Sequence, residues 1–273
     1  EVKVYDTMGS DDESDWQRVF DVNHQFVGDC VIENGLIRLW IDEGVEYGLK
    51  VYYWNGGTWV QPLDQIGFYD RDNNWVANYP FMKSITTLTR EKVIFNMRLE
   101  DSASQDGNKY VDLEATLERG KFFVVFSPTT VFPLNSIELR LSNSTKLRWG
   151  FLGDDNIYDD DLALPADNTT LSENYAVLFD ETLNPVLVCL AYNQKPAAYQ
   201  QRIWQWTTSA LFYQSMATSD IEISEFYLGL IPLSQVAKLF KEAEDATLMN
   251  GATVDTTQTD DSGDSVLLDA QGE

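Results

Sequence analysis

The chain has 273 residues, with 44 acidic side chains against 19 basic ones and a formal net charge of −25. That charge excludes nucleic acid and anionic membrane surfaces as partners, since both need a basic face. A hydrophobic share of 44 % excludes a chain disordered throughout.

Three uses of the acidity stay open: solubility in high salt, cation binding, or contact with a basic partner. No apolar run reaches about 18 residues, so no membrane insertion is expected. The chain opens on Glu1 without a signal-peptide pattern, as a processed or excised product would. Cys30 and Cys189 each lie in an apolar, strand-like context. They are expected as buried thiols rather than as a disulfide.

Residues 1–30 read as a polar N-terminal arm, with an acidic loop from Gly9 to Asp15. Trp16, Val19, Phe20 and Phe26 are its anchors, onto the body or onto a neighbouring subunit. His24 is the one histidine, and is expected to be structural. Residues 31–249 read as the β domain. Ile37, Leu39 and Ile41 fall on one face of a strand; Arg38, Trp40 and Asp42 fall on the other. Asn55-Gly56 predicts a hairpin with a type I′ turn. Ile66 to Tyr69 leads to a turn from Asp70 to Asn74, and Trp75 to Lys83 reads as aromatic and irregular.

The clearest pair follows. Val93, Phe95, Met97 and Leu99 alternate with polar residues, as do Val111, Leu113, Ala115 and Leu117. Phe122 to Phe126 is apolar on both faces and predicts a central strand covered on both sides. Leu147 to Leu171 reads as a long exposed loop. Tyr175 to Phe179 and Val186 to Ala191 form a hairpin. Strands follow at Ile203 to Trp206, Leu211 to Gln214 and Ile221 to Leu230. A helix runs from an N-cap at Ser234 to about Glu244. Residues 250–273 form an acidic tail or linker. The fold class expected is all-β: a large antiparallel two-sheet sandwich with one short C-terminal helix.

The line from Glu33 to Val60, with its opening Asn34-Gly35 strand and Gly-containing hairpin, and the later Glu118-Arg119-Gly120-Lys121-Phe122-Phe123, resemble the β-supersandwich domains of the galactose mutarotase-like group. That group includes polysaccharide-active enzymes and tail or adhesion proteins of prokaryotic viruses. The resemblance implies the fold over residues 31 to 230. The family's catalytic histidines and basic residues match no position here, because His24 lies outside the matching stretch.

The residues with chemistry to offer are tryptophans and aspartates. Trp54, Trp59, Trp75, Trp204 and Trp206 cluster near hairpins and are candidates for stacking on sugar rings. Strand parity puts Trp54 with Tyr52, and Trp204 with Trp206. Asp154, Asp155, Asp159, Asp160 and Asp161 are candidate Ca²⁺ ligands, although their spacing matches no EF-hand. Asp70 and Asp72 with Asn73 and Asn74 are a weaker cation candidate. Asn143 and Asn168 open glycosylation sequons. Nucleotide-binding glycine loops and Ser-His or Cys-His pairs are absent. The leading expectation is a non-enzymatic structural protein of a virion or extracellular assembly, a tail or host-adhesion component that docks with other subunits. The alternative is a carbohydrate-binding or carbohydrate-active domain.

Overall fold

Alternating side chains set the strands, and the computed structural model lays them down in three hydrogen-bonded sheets. It describes residues 1–70, 75–102, 109–130, 134–141, 149–151, 157–159, 169–170, 175–180, 186–192, 199–207, 210–217 and 225–232. The first six strands are β1 (Lys3–Asp6), β2 (Gln17–Val19), β3 (Cys30–Glu33), β4 (Ile37–Ile41), β5 (Leu49–Trp54) and β6 (Trp59–Val60). They form one sheet in the order β2-β1-β3-β4-β5-β6. Residues 1–30 therefore contribute two strands to it.

The chain then builds two further sheets in alternation. β7 (Leu63–Asp70) and β8 (Trp75–Ala77) start the second; β9 (Tyr79–Leu88), β10 (Lys92–Glu100), β11 (Tyr110–Glu118) and β12 (Phe123–Thr130) start the third. β13 (Leu134–Leu141) returns to the second, and β14 (Trp149–Phe151) and β15 (Ile157–Asp159) to the third. β16 (Thr169–Thr170), β19 (Tyr199–Thr207) and β20 (Ala210–Ala217) complete the second, while β17 (Tyr175–Asp180), β18 (Val186–Tyr192) and β21 (Phe226–Pro232) complete the third. The second sheet has six strands, β16-β19-β20-β13-β7-β8. The third has nine, β15-β14-β17-β18-β21-β12-β11-β10-β9. The strand pairings are antiparallel. The fold is an all-β sandwich, and one buried cluster draws on all three sheets.

β10 and β11 show why. Their registers pair Val93 with Leu117, Phe95 with Ala115, Met97 with Leu113 and Leu99 with Val111. All eight side chains are at most 1 % exposed. Phe126 stacks on Phe226 at 5.0 Å, and Phe226 meets Phe68 of the facing sheet at 6.1 Å. Apolar faces that alternate with polar ones leave water together, and that burial is the main stabilising term.

The two patterns that carried the family resemblance touch. Asn34, at the β3–β4 turn, accepts from the Leu36 and Ile37 amides through Oδ1. Its Nδ2 donates to the carbonyls of Glu118 (2.7 Å) and Lys121 (2.8 Å), in the β11–β12 turn. Gly35 beside it has φ +87°, a left-handed conformation that suits glycine. One carboxamide thus closes its own turn and ties the first sheet to the nine-stranded one.

Several expectations are corrected. The Asn55-Gly56 hairpin exists, but its turn is not type I′: only Gly56 has positive φ, at +98°. Asn55 Oδ1 instead accepts from the Gly57 and Thr58 amides, closing an Asx turn in a loop of residues 55–58. Trp75 to Lys83 is largely strand. Residues 147–171 hold β14, β15 and β16, so the segment is not all loop. β12 is central, and among the described residues its two faces are buried to different degrees. Val124 and Phe126 are buried, while Phe123 and Val125 are half-buried. Among the described residues, the Phe123 ring meets the Tyr227 ring at 5.9 Å and the Lys121 ammonium at 5.9 Å. Every described residue belongs to the unit Glu1–Leu233. The helix expected from Ser234, the tail over 250–273, the 71–74 turn and both sequon asparagines lie outside the described residues.

Candidate functional site

The wet face of the first sheet carries the densest chemistry among the described residues. Antiparallel register aligns Lys3, Glu33, Arg38 and Tyr52 in one row across β1, β3, β4 and β5, and Tyr5, Val31, Trp40 and Lys50 in the next. At the far edge, Trp54 pairs with Trp59 across the β5–β6 hairpin. Their rings meet edge to face at 5.3 Å. Trp54 is 37 % exposed, the most open tryptophan of this face.

Arg38 sits at the centre of this face and is buried there. Its Nε and Nη2 donate to Glu33 Oε2 at 3.0 and 2.7 Å. Its Nη1 and Nη2 donate to Glu13 Oε1 and Oε2 at 2.6 and 3.3 Å. The guanidinium carbon lies 4.4 Å from the Trp59 ring centre and 5.2 Å from that of Trp16. Burial works against its charge, yet the bonds to Glu13 and Glu33 outweigh burial and raise its pKa. Trp16 also meets Trp40 edge-on at 5.3 Å and Tyr5 at 6.0 Å. Lys50 lies over Trp40 at 5.6 Å and pairs with Asp42 at 2.5 Å. The result is an aromatic floor with a fixed guanidinium, suited to an apolar ligand face that carries polar edges.

One end of the sheet holds buried carboxylates. Asp6 is 0 % exposed. It accepts from the amides of Met8, Val27 and Gly28, and His24 Nε2 lies 2.9 Å from its Oδ2. Burial raises its pKa, but the donors, led by Val27 and His24, outweigh burial and hold it low. His24 is thus structural, with Phe26 edge-on at 5.0 Å. Gly28 has no room for a side chain: a Cβ there would lie 2.2 Å from the Gly9 nitrogen. Asp29 and Glu43 behave oppositely. Burial raises both, despite bonds from the Trp40 indole and the Glu43 amide to Asp29, and from the Met82 amide to Glu43.

Of the candidate tryptophans, the structure brings Trp54 and Trp59 together. Trp75 is on β8 and Trp204 on β19, in the second sheet with β20, β13 and β7 between them. Trp206 lies at a register irregularity between Gln205 and Thr207. Asp159 stands in β15 opposite Trp149; Asp154, Asp155, Asp160 and Asp161 lie outside the described residues. Among the described residues, no group of three His, Cys, Asp or Glu side chains is placed to hold a metal ion. Cys30 and Cys189 are unpaired; burial raises both thiols, Cys189 to about 11. The arm anchors divide: Val19 is buried, Phe26 packs against the core, Trp16 caps the aromatic floor, and Phe20 is 78 % exposed. Sequence reasoning missed Glu13 and Glu33 as the partners of Arg38. Their only signal was their sign, in a chain full of carboxylates.

No family model matches the chain, and no curated protein matches it. Solved structures do. The α-N-acetylgalactosaminidase NagBb from Bifidobacterium bifidum superposes with a TM-score of 0.52 at 9 % identity, over 81 % of this chain and 39 % of that one. The periplasmic domain of Thermotoga maritima YidC is similar at TM-score 0.41 and 12 % identity, over 83 % and 96 %. A galactose mutarotase related enzyme from Lactobacillus acidophilus gives 0.38 and 12 %, over 74 % and 97 %. The chain spans well under two thirds of NagBb. What NagBb shares with the chain is the β-sandwich fold. No helix among the described residues is long and apolar enough to cross a membrane.

Proposed function

We propose that this chain is a non-catalytic β-sandwich domain that recognises carbohydrate on the outer face of its first sheet. The observation that carries the reading is the Trp54–Trp59 pair. Its more open ring is 37 % exposed, and Arg38, Trp40 and Tyr52 continue the same face. Indole faces stack on the C–H side of sugar rings, while the Tyr52 hydroxyl serves sugar oxygens. The test is a screen of immobilised glycans followed by calorimetry with Trp54→Ala. Affinity should fall about tenfold on losing one stacking ring. Unchanged binding by the variant, or no glycan retained by the native chain, overturns the reading.

A second reading, a structural subunit of a virion or extracellular assembly, is favoured by exposed apolar residues in the loops that follow β1 and β2. Phe20 is 78 %, Val27 72 %, Met8 42 % and Val22 39 % exposed. Under this reading the loops dock on neighbouring subunits, and the stretch from Asp154 to Asp161 binds Ca²⁺. Light scattering with and without Ca²⁺ tests both parts. A defined oligomer supports the assembly, and Ca²⁺ dependence supports the cation. A monomer in every condition removes the reading.

A further inference from the structure

Residues 10–16 fold over the aromatic floor, yet their hydrogen bonds are mostly to themselves. The Ser14 amide and hydroxyl donate to Asp12 Oδ1, the Ser10 hydroxyl to Asp15 Oδ2, and the Trp16 indole to the Ser10 carbonyl. The Asp15 and Trp16 amides close a 3-10 turn on Asp12 and Glu13. Among the described residues, the hydrogen bonds and ring contacts that reach the sheet come from two side chains, Glu13 and Trp16.

The two edges of the Arg38 guanidinium differ. One is held by Glu33, whose side chain is 11 % exposed. The other is held by Glu13, whose side chain is 59 % exposed while that of Arg38 is 6 % exposed. Glu33 is shared between Arg38 and Lys3, whose Nζ lies 3.8 Å from it, so one carboxylate does not balance the two cations. Glu13 is therefore a second carboxylate, delivered by a self-contained turn to the open edge of a guanidinium flanked by two indoles.

We propose that Glu13 occupies the place of a ligand carboxylate, and that residues 10–16 are a strap displaced when a carboxylate-bearing sugar takes that place on Arg38. This rests on the carbohydrate reading above. A planar carboxylate gains the same forked pair of charge-assisted hydrogen bonds that Glu13 makes. The sugar ring then lies against Trp40 and Tyr5, the rings that Trp16 covers in the closed arrangement. The net charge of −25 repels an anion at long range, so affinity for the acidic sugar should rise as salt screens that field, whereas a neutral sugar should not respond.

The experiment compares a glucuronate-containing oligosaccharide with its neutral glucose counterpart, and with acetate, on the native chain and on Glu13→Gln. The variant should bind the acidic sugar about fivefold tighter, the scale of one partly exposed ion pair. Its affinity for the neutral sugar should not change. In NMR spectra of the native chain, the Trp16 indole signals should shift when the acidic sugar is added, as its ring leaves Trp40 and Tyr5. Equal or weaker binding by the variant, or Trp16 signals that stay in place, overturns the proposal. Acetate competing as well as the acidic sugar overturns the assignment to a sugar. If the neutral sugar binds through Trp54 and the acidic one does not, the strap fails while carbohydrate recognition stands. If neither binds, both fall.

Discussion

The β10–β11 pair and the wet face of the first sheet are built on opposite terms. In the pair, each strand presents four apolar side chains to the core, and pairwise register brings them together dry. On the wet face, the same alternation presents Arg38, Trp40, Lys50 and Tyr52, and a segment from β1–β2 folds over them. The first arrangement is stabilised by area removed from water. The second is stabilised by charge pairs and ring contacts that keep partial access to solvent, and these are weaker for each contact. A surface held in this way is free to exchange one partner for another.

Substitutions break the comparison in graded steps. Phe95→Ala should cost the most, about 3–5 kcal/mol, because a fully buried ring leaves a cavity in a packed core; urea denaturation measures it. A loss below about 1 kcal/mol would mean that the β10–β11 pair is not part of the packed core. Asn34→Ala should follow at about 2–3 kcal/mol, since two carbonyls and two amides lose their partner. Its loss should exceed that of any single substitution of an exposed charge.

Asp6→Asn should destabilise by about 1–3 kcal/mol at neutral pH, the range for hydrogen bonds to a charged group. The pH dependence gives the sign. The folded pKa of Asp6 lies below the ordinary aspartate value of about 3.9. The native chain therefore holds this advantage above the unfolded pKa and loses it as pH falls through the folded one. Glu43 has the reverse sign. Its folded pKa is raised by burial, so its favourable contribution is present below the unfolded pKa and is lost as pH rises through the folded value. Stability differences measured from pH 2 to 8 should shrink at the acid end for Asp6→Asn, and should move in favour of the variant towards neutral pH for Glu43→Gln. Parallel curves for the two variants would contradict the assignment. The smallest effect belongs to Glu91→Ala. Its pair with Arg119 is 3.0 Å long but exposed on both sides, and its loss should stay under about 0.5 kcal/mol.

Legibility in the sequence followed the same division. Val93 to Leu99 and Val111 to Leu117 declared their faces because a strand's period of two sorts apolar from polar residues without reference to the rest of the chain. The hairpin at Asn55-Gly56 was legible for the same local reason, although its turn type depended on where the Asn55 carboxamide found donors. Phe122 to Phe126 declared apolar faces but not their depth of burial: Val124 and Phe126 are buried, while Phe123 is half-buried beside Tyr227 and Lys121. The segment 147–171 misled because its strands are two or three residues long, too short to show a period.

The candidate site was half visible. Trp54 and Trp59 were named from their hairpin, and Arg38 and Trp40 were placed on the wet face. Nothing local marks Glu13 as the partner of Arg38, because the two lie 25 residues apart and the chain carries 44 acidic side chains.

The sequence by itself determined the strands, their buried faces and the all-β class, because alternation and turn chemistry act between neighbours in the chain. Only the tertiary structure decided that Asn34 joins the β3–β4 turn to the β11–β12 turn. It alone also decided that Trp54 meets Trp59 apart from Trp75 and Trp204, and that Glu13 closes over Arg38. Those pairings depend on sheet order and register, which arise when distant strands remove their apolar faces from water together.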